Sequence, residues 1–348
     1  MTKLVLILCI ISIISIISAK DTEWRCITTK DDSSLSKTGS VQWFQNNCTN
    51  SADANSQPLL VVNVVKIDLT SKDVKISAGV AKDAAQPLQP VNIIAEQNPN
   101  RNFVAGINGG YFWRTDITPY WLDDVCRGKT RKEAESPANS EHPNDGISDG
   151  LIKINGELLG SNCNCWGFSR PAIINDANNN WNIDVVNRGE QGLPDIQNGL
   201  AAGPNLVSYK PDTYETYIDI PSNDDNINIH EHAANTAVGI IYNKDTNQAE
   251  TMLFVTTDGS DECGRLDESC GINAPNLASL MKDHFMVHQS MSMDQGGSTT
   301  MWIKSQTSTS TNGDGVVSYS GGGARNVANG FFVEIISDTD TDADAHTA

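Results

Sequence analysis

The chain has 348 residues, 24 Lys plus Arg against 43 Asp plus Glu, and a formal net charge of −19. So acidic a chain is a poor partner for nucleic acid, whose phosphates need a cationic face, and for anionic membranes. Its length suits one large domain, or one with a small appendage.

The first residues set an expectation of export. Lys3 gives a short positive segment, Leu4 to Ile17 is apolar apart from Ser12 and Ser15, and Ile17-Ser18-Ala19 offers a small-residue cleavage site. The apolar run is shorter than the roughly 20 residues a spanning helix needs. Residues 1–19 therefore read as a signal peptide, with a mature chain that starts at Lys20, enters the secretory pathway and has no membrane span. Its loss leaves 23 basic and 43 acidic residues and seven cysteines. In an oxidising compartment these can pair. Spacing suggests Cys26–Cys48 and Cys263–Cys270, with one of Cys126, Cys163 and Cys165 left over. Cys163-Asn164-Cys165 has no companion C-x-x-C or paired histidines, so no metal and no cofactor is expected. Asn47-Cys48-Thr49 is a glycosylation sequon, which would expose Asn47 on a loop if it carries a glycan.

Residues 20–58 are polar and weakly periodic, and read as an N-terminal cysteine-containing extension. The globular pattern covers 59–336. Residues 59–69 and 74–80 are β-branched runs joined by a polar turn, a pattern of paired strands. A short helix is expected over 91–97, a strand over 102–107 that ends in a glycine turn, and a charged surface loop over 127–146. Hairpins follow at 150–159 around Asn155-Gly156, at 173–186 around 177–180, and at 236–257 around 243–248. One helix is well marked: Asn273 can cap it, Pro275 lies in its first turn, and Leu277, Leu280, Met281 and Phe285 share a face. Strands at 287–293, 299–303 and 331–336 close the domain, and an acidic Asp/Thr tail over 337–348 reads as disordered. Hairpins and few helices predict an α+β fold with a mixed, largely antiparallel sheet.

Three strand ends share a local design, a glycine turn carrying a polar side chain. They are Asn108-Gly109-Gly110-Tyr111, Asp258-Gly259 and Asp294-Gln295-Gly296-Gly297-Ser298. Glycine there permits positive φ and close approach of a ligand to the backbone. The exposed amides can bind oxyanions, and a neighbouring carboxylate can do acid–base or nucleophilic work. The acidic cluster Asp261, Glu262, Asp267 and Glu268 lacks the spacing of an EF-hand and reads as a solvated loop.

In chain order, Asn108-Gly109-Gly110-Tyr111-Phe112, Gly203-Pro204-Asn205-Leu206, Thr236-Ala237-Val238-Gly239, Asp258-Gly259, Asp294-Gln295-Gly296-Gly297-Ser298 and Arg325 resemble the phosphodiester glycosidase family, over about 59–336. The resemblance implies an extracellular or lysosomal hydrolase with a glycan or glycosyl-phosphate substrate. Such an enzyme cuts a sugar-1-phosphodiester at the anomeric carbon, as in N-acetylglucosamine linked through phosphate to another sugar. A non-catalytic carbohydrate- or phosphoglycan-binding member is the alternative. Two positions depart from the family pattern: Asn235 stands where Arg usually precedes Thr-Ala-Val-Gly, and Gln295 where the third corner usually has Gly. Cleavage at an anomeric carbon needs a carboxylate, and donors or cations for the phosphate. Asp294 is the first choice of carboxylate, then Asp258 and Glu231. The expected substrate contacts are Asn108, Gly109, Gly110, Tyr111, Gly203, Asn205, Asn235, Thr236, Gly296, Gly297, Ser298 and Arg325. His230, His232 and Arg265 are candidates to replace the missing Arg.

Overall fold

The structure, a computed structural model, describes residues 24–32, 35–50, 60–81, 88–112, 148, 150–159, 170–186, 195–220, 229–259, 271–304, 315–320 and 324–336. The expected signal peptide, Cys126, Cys163, Cys165, the Cys263–Cys270 pair, Arg265, the 127–146 loop and the acidic tail lie outside these residues.

Apolar β-branched runs become strands. In chain order they are β1 (Trp24–Asp32), β2 (Val41–Asn50), β3 (Leu60–Asp68), β4 (Val74–Val80), β5 (Phe103–Asn108), β6 (Ile152–Ile154), β7 (Glu157–Leu158), β8 (Arg170–Asn175) and β9 (Trp181–Val186). There follow β10 (Asn198–Ala201), β11 (Asn205–Lys210), β12 (Glu215–Ile218), β13 (Asn235–Tyr242), β14 (Ala249–Thr257), β15 (Gln289–Ser292), β16 (Thr300–Ile303), β17 (Val316–Tyr319) and β18 (Asn329–Ile335). Among the described residues the α-helices are α1 (Val91–Glu96) and α2 (Ala274–Ser279), the latter running on as a π-helical turn over Leu280–His284, and Gly296–Ser298 forms a 3-10 turn. Asn273 caps α2 as expected, its Oδ1 accepting from Asn276 N at 2.9 Å, and Pro275 occupies the first turn.

Three sheets form, in the orders β1-β2-β3-β14-β13-β15-β11-β12, β7-β6-β10-β8-β9 and β17-β16-β5-β18-β4. Every ladder between these strands is antiparallel; Gly259 and Ser320 make an isolated parallel bridge. The expected antiparallel character and hairpins are present. The α+β assignment is corrected to a largely β fold, because among the described residues the two short α-helices, one extended by a π-helical turn, do not form a layer of their own.

A core closes between the sheets. Val65, Ile67, Val238, Phe254 and Met291 of the eight-stranded sheet meet Ile107, Met301 and Phe331 of the third sheet and Ile173 and Leu200 of the second. The outer face of the eight-stranded sheet buries Val62, Val64, Ala237 and Val255 under Leu277, Leu280 and Met281. Burial on both faces is why its central strands read as unbroken apolar runs. On the third sheet, α1 covers Phe103 and Phe332, whose rings lie 4.9 Å apart. Gly79, Gly106 and Gly330 leave a slot for Phe332: a Cβ on Gly106 would come within 2.4 Å of the ring.

Some expectations change. β3 and β4 do not pair with each other; β3 lies between β2 and β14, whereas β4 crosses to the third sheet beside β18. The hydrophobic pattern specifies strands but not partners. Within the expected extension, β1 and β2 continue the eight-stranded sheet, and Cys26 and Cys48 are register partners joined by a disulfide. Asn47 lies half-buried within β2, between β1 and β3, rather than on a loop. No helix among the described residues is long and apolar enough to cross a membrane.

Candidate active site

The strands bring the three glycine corners to one end of the molecule. β5 ends at Asn108, β14 ends just before Asp258, β15 ends just before Asp294, and β13, β16 and β18 begin with Asn235, Thr300 and Asn329. Asn108 joins these ends. It is fully buried, and its Oδ1 accepts from Thr236 Oγ1 at 2.6 Å and Thr300 N at 3.0 Å. Its Nδ2 donates to Asp294 O at 2.7 Å. The Gly109 carbonyl takes the Asp294 amide at 2.9 Å. The first corner thus holds the backbone of the third by two hydrogen bonds.

The Asp294 carboxylate lies 3.7 Å from the Arg325 guanidinium. Arg325 also donates to the Ser298 hydroxyl, and the Gln295 amide donates to Asp294 Oδ1 at 3.0 Å. Burial pushes the Asp294 pKa up; Ser298, the charges of Arg325 and Arg170 and the Gln295 amide pull it down without cancelling the rise. Arg170 enters from the start of β8, itself buried, with its guanidinium 4.6 Å from the centre of the Tyr111 ring. The Tyr111 hydroxyl donates to Gly203 O at 2.8 Å, which holds that ring in place. A largely buried carboxylate beside the Arg325 guanidinium, and within the field of Arg170, can act on an electrophilic carbon while a cation holds an anionic leaving group.

The phosphodiester glycosidase family profile matches residues 101–334, more than half of the chain. The chain belongs to that family. Comparison with curated proteins finds no match. Among solved structures, a hypothetical protein from Synechocystis aligns with a TM-score of 0.50 and 13% identity, over 85% of this chain and 62% of its own. This chain therefore spans less than two thirds of that protein, and the likeness concerns the fold alone. The zebrafish N-acetylglucosamine-1-phosphodiester alpha-N-acetylglucosaminidase catalytic domain, auto-inhibited by its pro-peptide, aligns with a TM-score of 0.48 and 14% identity, over 91% of this chain and 84% of its own. A putative exported protein from Burkholderia pseudomallei aligns with a TM-score of 0.45 and 13% identity, over 83% and 77%.

The family motifs do different physical jobs in this chain. The Gly109 amide donates to Asn329 O at 3.0 Å and the Gly110 amide to Asn329 Oδ1 at 2.7 Å. A Cβ at Gly109 would lie 1.9 Å from Asn329 Oδ1, and one at Gly110 2.0 Å from Ala201 O, so close approach requires glycine at both. Gly296 has φ +62 and donates to Ala234 O at 2.8 Å, while Gly297 packs against Arg325. Asn235 is buried, and its Nδ2 donates to Ala233 O at 3.0 Å and Ile272 O at 2.7 Å. The side chain standing at the family's Arg position therefore ties two segments of backbone.

The other expected residues have contacts of their own. Asn205 donates to Ser208 Oγ at 2.8 Å and Asp219 Oδ2 at 3.1 Å, on the side of its strand pair. Glu231 and His230 are exposed. The His232 ring contacts Gly271 O at 3.4 Å and Asn273 Nδ2 at 3.3 Å, at the start of α2. Among the described residues no three His, Cys, Asp or Glu side chains group as a metal site.

Two residues at this end escape the sequence reading. Arg170 opens the strand Arg-Pro-Ala-Ile-Ile, and its signal is a charge abutting an apolar run. Asn329 interrupts Val-Ala-Asn-Gly-Phe, a polar side chain where the pattern asks for an apolar one.

Asp258 accepts a short hydrogen bond from Ser318 Oγ. Its burial outweighs that bond and the Lys30 charge, and pushes its pKa up to about 7. The folded state thus keeps a proton that the unfolded chain releases near pH 4, so stability falls as pH rises through that window. Asp258→Asn removes the titration and leaves an acceptor for Ser318. The variant should exceed the wild type by about 4 kcal/mol at pH 8 and by less than about 2 kcal/mol at pH 5. Urea unfolding at the two pH values measures the difference, and an equal gain at both would contradict the assignment.

Proposed function

We propose that this chain hydrolyses a glycosyl phosphodiester at the anomeric carbon, in the secretory pathway, either outside the cell or in the lysosome. The observation that carries the reading is the largely buried Asp294 carboxylate, 13% exposed and 3.7 Å from Arg325, in a chain of this family. Departure of a phosphate monoester leaves oxocarbenium character on the sugar. The leaving group is already good, so general-acid help matters less than for an ordinary glycoside. Asp294 acts on the anomeric carbon, or on the water that attacks it, and Arg325 holds the phosphate. Asp258 and Glu231 are the secondary carboxylates. Arg170 supplies the cation that Asn235 does not. The Cys26–Cys48 disulfide agrees with an oxidising compartment.

The test is sugar release from a synthetic N-acetylglucosamine-phospho-mannoside by the mature chain from a secretory host. Release is expected; no release from protein with an intact thermal transition would overturn the reading. The hydrogen bonds of Asn235 favour a second reading, a binding member that holds a phosphoglycan without cutting it. Saturable binding of the intact substrate with no free sugar would establish that one.

Arg170 lowers the Asp294 pKa, so its removal acts with a definite sign. In Arg170→Met the carboxylate should hold its proton to higher pH. The acid limb of the kcat/KM profile should move to higher pH. An unmoved limb would show that Arg170 does not act on the reacting carboxylate.

A further inference from the structure

A cleft of about 1270 Å³ opens at the opposite end of the same strands. Three segments surround it: the turn between β11 and β12, the turn between β13 and β14, and the passage from the π-helical turn into β15. Drug-sized pockets usually occupy roughly 300–1,000 Å³, so this one accommodates several linked rings.

Of its aromatic lining residues, Tyr242 is backed by Tyr209, which does not itself line the cleft: the two rings stack with centroids 5.2 Å apart and planes inclined by 13°. Tyr214 approaches Tyr209 at 6.2 Å, and His288 stands edge-on to Tyr209 at 5.0 Å. The Tyr209 hydroxyl donates to Asn247 Oδ1 at 3.0 Å, joining β11 to the turn between β13 and β14. His288 Nδ1 accepts from Tyr242 N at 3.1 Å, which puts the ring proton on Nε2 as a donor.

Two rim residues contradict a purely structural role. Tyr214 has φ +53 and is 47% exposed; Met286 has φ +57 and is 67% exposed. Left-handed backbone favours Gly or Asn and is strained for bulky side chains. Met286 follows the last helical turn, where glycine is the usual residue. Folding alone would select a small or polar residue at both places, with no apolar surface in water. Strain and exposure together indicate that the side chains serve a ligand.

The charges around the cleft narrow the ligand class. Lys282 pairs with Asp283 at 2.8 Å, and Asn243 Nδ2 donates to Glu250 Oε2 at 2.9 Å. With Lys244 and Asp245 the lining carries both signs in near balance, within a chain of net charge −19. Such a lining offers little to a polyanion. Rings with flat apolar faces meet alternating donors and acceptors, which matches the two sides of a pyranose.

We propose that this cleft is a second, non-catalytic site for a neutral oligosaccharide. Tyr214 and Met286 cover sugar faces there, and His288 and the paired polar groups meet hydroxyls. The site lies at the far end of the strands from Asp294 and does not depend on the chain's being a hydrolase.

The test uses the full mature chain carrying Asp294→Asn, titrated calorimetrically with chitotetraose, mannotetraose and cellotetraose. At least one should bind. Tyr214→Asn combined with Met286→Gly should weaken that binding by at least about tenfold while the melting temperature holds or rises. Failure of all three probes to bind, or binding unchanged in the double variant, would overturn the proposal. So would a lowered melting temperature in that variant, or a dimer of the parent that the two substitutions dissociate. The readout is binding by a chain without Asp294, so it fails or succeeds independently of sugar release in the preceding test.

Discussion

Replacing Asp294 by Asn is expected to lower turnover of a glycosyl phosphodiester by roughly 10²–10⁴-fold while the fold survives. The amide matches the carboxylate in shape and still accepts from the Gln295 amide, which lies 3.0 Å from Oδ1. What disappears is the negative charge that would attack or polarise. Burial opposes that charge, as the upward shift of its pKa records. Losing it should therefore leave the melting temperature at neutral pH unchanged or slightly raised, even though Arg325 loses a counter-charge at 3.7 Å. Initial rates across a range of pH, with melting curves on the same preparations, separate the two effects. Full retention of turnover would move the chemistry to Asp258 or Glu231. A large fall in melting temperature would make Asp294 a structural residue.

Asn108→Ala is expected to be the most damaging single change to the fold at this end, costing about 3–5 kcal/mol. The side chain is fully buried and reaches three segments at once. Its removal leaves the Thr236 hydroxyl, the Thr300 amide and the Asp294 carbonyl without that partner, away from water. Each such loss costs on the order of 1–3 kcal/mol, and losses in one network do not add fully. The urea midpoint should drop with little change in slope, since the surface exposed on unfolding is nearly the same. Turnover should fall as well, because the Asp294 backbone loses one of its two ties to the first corner. A variant as stable as the wild type would mean that the strand ends are held by other contacts.

The hairpins at 150–159, 173–186 and 236–257 and the helix capped by Asn273 were legible because each is a local matter. Alternation, turn dipeptides and a capping side chain act within a few residues. Asn155 and Gly156, for example, adopt φ 50 and 81 in the turn that Asn-Gly implies. The family was legible too, because the order of the glycine corners survives in the sequence. Sheet partners were not. Residues 60–68 and 74–80 look like a hairpin, yet they enter different sheets, since a strand's partner is chosen by which other apolar face it can bury. The polar residues of β1 concealed an edge strand, whose outer side faces water and shows little apolar period, and with it the pairing of β2.

By itself, then, the sequence determined the local β-elements, the acidity that disfavours nucleic acid and the family motifs that point to Asp294 and Arg325, and it suggested the Cys26–Cys48 pairing. Only the tertiary structure decided what those motifs do. It turned Asn108 into a strut between strand ends, committed the Gly109 and Gly110 amides to Asn329, and made Asn235 a backbone tie. It also delivered Arg170 to the carboxylate from a different sheet. The physical reason is range: turn and strand preferences act over a few residues. The desolvation of Asp294, and the charges set around it, arise only when segments as far apart as 108, 170, 294 and 325 are packed against one another.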